Sequence, residues 1–336
     1  MPEKEYDVIT FGRSSIDLYS QNIGADFVDI QGFDAFVGGS PLNIAVGCSR
    51  LGLKSALVSG VGNDKVGDFI LNFLQKENVE TKFVSHIEGT RSSAVVLGIE
   101  PPDKFPLVYY RDNAADSQIT IDDVLKVPIS KCRLLEISGT ALNIEPTRSA
   151  VFLAAEVAVE NNIPIVLDLD FRADQWHDPR AFGIMVRALL PKVTIGIGTE
   201  EEIKAATLIE TSKVSIKHQQ ISAPEIEGDL NESVHALMQL GMDTLIVKRG
   251  SDGASIYKSN GMQQVPGFMV EVLNVLGAGD AFASGFIYGF LQGWDVYKAC
   301  RMGNASGAQV VTQPGCANFM PYLQESLDFI EANGGF

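Results

Sequence analysis

The stretch "PIVLDLDFRADQWHDPRAFGIMVRALLPKVTIGIGT", residues 164–199, sets two apolar, β-branched runs on either side of a segment whose apolar residues recur at helical spacing. Neither run alternates with polar residues, so each predicts a strand covered on both faces. A helix between two such strands is the crossover of a parallel sheet. The alternation continues outward in both directions. "YDVITFG" (6–12), "SALVSGVG" (55–62), "CRLLEISG" (132–139) and "DTLIVKRG" (243–250) read as strands, and "PLNIAVGCSRLG" (41–52), "VGDFILNFLQKENV" (66–79) and "RSAVFLAAEVAVENN" (148–162) as helices. The predicted fold class is α/β, a mostly parallel sheet with helices on both faces. Ligands of such sheets bind beyond the carboxyl ends of the strands.

Two stretches break the pattern. "DFVDIQGFDAFVGG" (26–39) and "RSSAVVLGIEPPDKFPLVYYRD" (91–112) are strand-like, with turns but no helices between the strands. They predict an antiparallel hairpin set, a small β lid formed by about 14–39 and 90–116 on a single domain spanning 1–336. "SIKHQQISAPEIEGDL" (215–230) is polar and reads as a surface connection.

The chain has 336 residues, 46% of them hydrophobic and 20% charged, ordinary for a globular protein. Acids outnumber bases 42 to 26, a net charge of −16, which argues against nucleic acid and anionic membrane surfaces as partners. Cys48, Cys132, Cys300 and Cys316 are scattered without metal-ligand spacing, and the four histidines (86, 177, 218, 235) form no triad. The N-terminus carries no signal-peptide pattern and no apolar run long enough to span a bilayer, so a cytoplasmic location is expected.

Chemistry concentrates in "NVLGAGDAFASGF" (274–286). Glycines ahead of a helix let its unpaired N–H groups approach an anion closely, and the helix dipole favours negative charge there. An acid in that place would repel a phosphate that merely bound. It makes sense if Asp280 takes a proton from a hydroxyl while the amides of Gly277, Ala278 and Gly279 hold a transferring phosphoryl group. A plain helix cap is the alternative. No G-x-x-x-x-G-K-[ST] is present, and "SGVGNDKVG" (59–67) misses the dinucleotide fingerprint.

"GAGDAFASGF", "FVGGSPLNIAVGCSRLG" (36–52) and "VKRGSDGA" (247–254) resemble the ribokinase/PfkB family of sugar kinases, in the same order over nearly the whole chain. In detail "FGRSSIDLY", "VYYRDNAAD", "LDLDFRADQW" and "IGTEEEI" resemble the branch acting on 5-dehydro-2-deoxygluconate in inositol breakdown, with 2-keto-3-deoxygluconate kinases and fructokinases as the neighbouring alternatives. The resemblance implies a ribokinase-like core with a β lid, ATP, Mg²⁺, and transfer to a primary hydroxyl. By match to the family signature, Asp280 is the base and Gly277, Ala278 and Gly279 the anion hole. Asp17, Gly38, Gly39 and Asn43 would hold the sugar.

Arg111 and Arg172 are candidates for a sugar acid, because a guanidinium grips a carboxylate bidentately and a neutral hexose offers it nothing, and "YYRD" resembles the keto-sugar-acid kinase stretch whose Tyr and Arg touch substrate, which adds Tyr110. Arg172 could equally serve nucleotide phosphates. Glu202, in "TEEEI" (199–203), aligns with the family's water-mediated Mg²⁺ acid, although Thr199 replaces the usual asparagine. The resemblance also implies that Lys248, Gly250, Gly253 and Asn304 fall on the nucleotide side. Asn274 stands where many members have an aspartate linked to a potassium site, which leaves K⁺ an open possibility. A catalytically silent sugar sensor is the rival from another class, and the intact Gly-Ala-Gly-Asp argues against it. A homodimer through the lid is expected, since pairing would cover its strand edges.

Overall fold

A computed structural model describes residues 4–101, 104–216 and 224–336. Strands β1 (Tyr6–Phe11), β2 (Ser15–Ser20) and β3 (Phe33–Gly38) precede helix α1 (Ser40–Arg50). Next come β4 (Ser55–Gly62), α2 (Lys65–Lys76), β5 (Val84–Ile87), β6 (Ser93–Leu97) and β7 (Leu107–Tyr110). The middle of the chain holds α3 (Ile121–Val124), β8 (Cys132–Ser138), α4 (Thr147–Glu160), β9 (Ile165–Asp168), α5 (Pro179–Leu189), β10 (Ile195–Thr199) and α6 (Glu200–Ala206). The remainder is β11 (Val214–Ser215), β12 (Glu225–Ile226), α7 (Leu230–Met238), β13 (Thr244–Lys248), β14 (Ala254–Lys258), β15 (Gly261–Val265), α8 (Ala278–Leu291), α9 (Val296–Val310) and α10 (Leu323–Ala332).

Nine strands form one sheet in the order β15-β14-β13-β10-β9-β8-β1-β4-β5. The seven from β13 to β5 run parallel, as the unbroken apolar runs require, and the β13–β14–β15 edge is antiparallel. Side chains of alternate parity go to opposite faces. Leu135, Ile137, Leu167 and Val247 pack with Ala154, Phe182 and Val234 on the face covered by α4, α5 and α7. Val8, Leu134, Val166 and Ile246 meet Ile44, Phe282 and Phe286 under α1 and α8. Phe286 is fully buried, and burying such a side chain contributes roughly 1.5–3 kcal/mol.

The second sheet is four-stranded, in the order β3-β2-β6-β7. Both hairpins, β2–β3 and β6–β7, are antiparallel, but β2 and β6 pair in parallel. The two antiparallel hairpins expected from the sequence are both present, and their parallel join, which the sequence did not indicate, makes the sheet mixed. The two hairpins are separated by the excursion through α1, β4, α2 and β5, so they join as independent units along one edge each. Of the polar connection at 215–230, residues 217–223, with His218, lie outside the described residues. Val214–Ser215 and Glu225–Ile226 pair as a short ribbon.

Candidate active site

The parallel strands end on one edge, where the functional candidates collect. Gly277 precedes α8 at φ 84, a left-handed conformation that favours glycine, and the side chain of Cys316 packs against it: a Cβ at Gly277 would lie 2.7 Å from Cys316 Sγ. The thiol in turn lies 2.9 Å from Tyr19 Oη. Beyond this turn, the first N–H groups of α8 have no intrahelical acceptor, and that of Ala278 reaches only Val275 O, at 3.4 Å.

Asp280 is the third residue of α8, and its Oδ2 accepts a hydrogen bond from Asn43 Nδ2 at 2.7 Å. Burial pushes its carboxyl above the usual range, the charge of Asp170 adds to that, and Asn43 opposes it. A Cβ at Gly279 would fall 2.9 Å from Lys248 Nζ, so this ammonium lies against the glycine turn. Lys248 is held 3.1 Å from Asp168 Oδ1 and 3.9 Å from Glu202 Oε2. Burial opposes the lysine's charge, but those carboxylates outweigh it and keep the ammonium protonated.

Asp17, on β2, faces this nest from the lid. Its Oδ1 accepts from Ser15 Oγ at 2.6 Å, and Ser15 Oγ accepts from Arg13 Nη1 at 2.9 Å. Its carboxylate rests on Gly38: a Cβ there would lie 2.0 Å from Asp17 Oδ2. Gly39, at φ 109, is pressed against the Arg13 carbonyl, where a Cβ would lie 2.3 Å away. Asp17, Gly38, Gly39, Asn43 and Asp280 are thus brought together.

Arg111 is buried, with Nε on Asp116 at 2.7 Å and Nη1 on Gln175 Oε1 at 2.7 Å, while Nη2 is buried without a protein acceptor. Arg172 pairs with Asp170. Asp170, at φ 38, is turned back onto Ser138 and Thr140, with hydrogen bonds of 2.9 and 3.2 Å. Burial pushes its carboxyl up, but Arg172, Arg13 and Ser138 together hold it below the usual range. Tyr110 is 62% exposed, on the outer side of the lid. Its neighbour Tyr109 takes the inner position instead, under the Arg13 guanidinium at 5.0 Å from the ring centre.

The nucleotide-side candidates fall near α8 and α9. Gly253 has φ 90 and is packed against Val265 O and Gly267 N, whereas Gly250, at φ 57, opens on free space. Asn304 Nδ2 is tied to Pro266 O at 2.9 Å. Glu202 closes a capping box with Thr199: Oε2 accepts the Thr199 N–H at 2.7 Å, and Oε1 accepts that of Phe171 at 3.2 Å. With both oxygens engaged, and with no cluster of three metal-binding side chains among the described residues, the protein builds no direct cage. That suits an Mg²⁺ ion that keeps its waters and arrives on phosphates. Asn274 is tied into the turn by its own side chain and keeps one lone pair of its Oδ1 open to a cation. Its Nδ2 donates to Pro314 O at 3.0 Å, and its Oδ1 accepts from Leu276 N at 3.0 Å.

Several residues here were not singled out in the sequence: Arg13, Tyr109, Asp168, Asp170 and Glu136. Glu136 stands in the middle of β8 with both oxygens buried and without partners. Burial, with Asp168 and Asp280 nearby, pushes its carboxyl far up.

A base at a polarised helix start, opposite a lid carrying hydrogen-bond acceptors, suits phosphoryl transfer to a hydroxyl. The chain belongs to the pfkB family of carbohydrate kinases, whose profile matches residues 6–323. It is 32% identical to the 5-dehydro-2-deoxygluconokinase of Clostridium tetani, over 98% of this chain and 94% of that one. Among solved structures it is similar to a ribokinase II from E. coli in complex with ATP and Mg²⁺ (TM-score 0.83, 23% identity, 98% and 100% covered). Another is a Vibrio cholerae fructokinase with fructose, ADP and a potassium ion bound (TM-score 0.82, 23% identity, 98% and 99% covered).

Proposed function

We propose that this protein transfers the terminal phosphoryl group of ATP to the terminal hydroxyl of 5-dehydro-2-deoxy-D-gluconate, in myo-inositol catabolism. The observation that carries the reading is Asp280, clamped by Asn43 at the mouth of the Gly277–Gly279 turn with Lys248 alongside. Asp280 takes the hydroxyl proton as the substrate oxygen bonds to phosphorus, and the bond to the bridging oxygen of ADP breaks. The amides of Gly277, Ala278 and Gly279 and the Lys248 ammonium hold the equatorial charge. Glu202 would hold a nucleotide-bound Mg²⁺ through water, and the ion would supply charge neutralisation there. Gly250, Gly253 and Asn304 form the nucleotide side.

On the sugar side, Asp17 accepts substrate hydroxyls, Gly38 and Gly39 admit it closely, and Arg111 and Arg172 favour an acid. Tyr109 replaces Tyr110 in this set. Residues 1–336 act as one domain, with the lid excluding water from the transfer. A cytoplasmic location belongs to this reading, and no helix among the described residues is long and apolar enough to cross a membrane. The lid leaves β3 and β7 as edges, with Val108 and Tyr110 exposed on β7, which supports a homodimer through this sheet. Light scattering that finds only monomer at working concentration would remove that assembly.

The test is a coupled ADP-release assay across keto-deoxy sugar acids and neutral hexoses, with Asp280→Asn alongside. The acid is expected to be preferred, and the variant to lose at least about 10²–10⁴-fold in kcat while still binding ATP. Faster turnover of neutral hexoses defeats the substrate assignment, and near-normal turnover by Asp280→Asn defeats the mechanism.

A further inference from the structure

Arg13 leaves β1 at the junction with the lid, is only 6% exposed, and belongs to no set assigned above. Three guanidinium groups approach the sugar side, and they differ in how they are neutralised. Arg111 is paired with Asp116, and Arg172 with Asp170. Arg13 has no ion pair among the described residues and reaches Asp17 only through the Ser15 hydroxyl. Of its nitrogens, Nη1 alone is hydrogen-bonded, and Nε is buried without an acceptor. The group lies over the Tyr109 ring, 5.0 Å from its centre. A buried guanidinium resting over an aromatic ring, with donors unspent and no protein carboxylate in contact, is an incomplete site for a planar anion.

We infer that Arg13 is the residue that takes the substrate's carboxylate, and that it sets the preference for a sugar acid over a neutral sugar. The inference rests on the sugar-kinase reading above and assigns within it the group that reads the acid end. Arg111 and Arg172, each paired with a protein acid, then favour the acid through their charge without taking its carboxylate. The position is consistent with the reaction. The Arg13 carbonyl packs on Gly39 at the start of α1, and Asn43, one turn further along that helix, holds Asp280. The residue reading the acid end and the base at the hydroxyl end therefore flank the same helical turn, about 6 Å long.

The experiment compares wild type, Arg13→Gln and Arg13→Lys. The probes are 5-dehydro-2-deoxygluconate and its primary amide, a neutral analogue of the same shape. Steady-state KM and kcat are measured, together with equilibrium binding of each probe without ATP. For Arg13→Gln, KM and Kd for the acid are expected to rise about 10- to 100-fold, the loss of a charge-assisted pair. The amide should bind as it does to wild type, and kcat should hardly move. Arg13→Lys, which keeps the charge and loses the fork, should fall between the two. Unchanged acid binding in Arg13→Gln overturns the inference, as does an equal loss for acid and amide, since that is what a merely structural role would give. A wild type that binds the amide as well as the acid overturns the inference together with the substrate assignment. A wild type selective for the acid, beside an Arg13→Gln equally selective, overturns the inference alone. Melting temperatures of the variants decide whether any general loss reflects folding.

Discussion

Replacing Gly38 with alanine adds one methyl group at a place where the structure has no room for it. The new Cβ would lie 2.0 Å from Asp17 Oδ2, 2.3 Å from Cγ and 2.4 Å from Oδ1, against the 3.4 Å at which ordinary contact begins. The carboxylate must therefore retreat by more than about 1 Å to restore normal van der Waals separation. It cannot do so alone, because Oδ1 is tied to Ser15 at 2.6 Å and Ser15 to Arg13 at 2.9 Å. The backbone of Gly38 is not left-handed, so the conflict is one of space and not of conformation.

Overpacking of this kind costs about 1–3 kcal/mol of stability. Losing a charged acceptor for the sugar hydroxyls adds about 1.5–3 kcal/mol in binding, equivalent to roughly 10- to 150-fold in KM. The assay is ADP release at varied sugar, with nucleotide affinity measured separately. KM for sugar should rise steeply while ATP binding is kept, because Asp17 belongs to the lid and Lys248 and α8 to the core. A Gly38→Ala enzyme with normal sugar KM would refute the placement of Asp17 against substrate.

Two further outcomes follow from charge. Burial, with Asp170 adding to it, raises the carboxyl of Asp280, and a base works only when deprotonated, so activity must be lost as pH falls through that raised value. The acid limb of kcat should stand above the ordinary aspartate value of about 3.9, and a limb at or below that value would contradict it. Asn274 is uncharged and one lone pair of its Oδ1 is already taken by Leu276 N, so replacing sodium with potassium buffer should change turnover by less than several-fold. Several-fold activation by K⁺ would overturn this.

Much of the site was legible because glycine and aspartate have few reasons to stand before a buried helix. Gly277, Gly279 and Asp280 follow from that rule, and the unbroken apolar runs gave the parallel sheet. What escaped depends on parity and on long-range pairing. Tyr109 and Arg111 share a parity along "VYYRD", and a period-two reading of β7 would have preferred Tyr109 to its exposed neighbour. Glu136 was visible as a lone acid inside "CRLLEISG", yet its isolation comes from strands adjacent only in space. The parallel join of β2 and β6 was out of reach, because nothing local says which edges of two hairpins will meet.

The three arginines of the sugar side come from separate places: Arg13 from the exit of β1, Arg111 from the end of β7, and Arg172 from just past β9. One belongs to the junction between the sheets, one to the small sheet and one to the large. An engineer who transplanted the small sheet onto a related kinase would move one of them and part of the aromatic shelf beneath another. Redirecting such an enzyme toward acids therefore calls for coordinated changes in three separate parts of the chain, and a cassette swap should yield a hybrid with the appetite of its host.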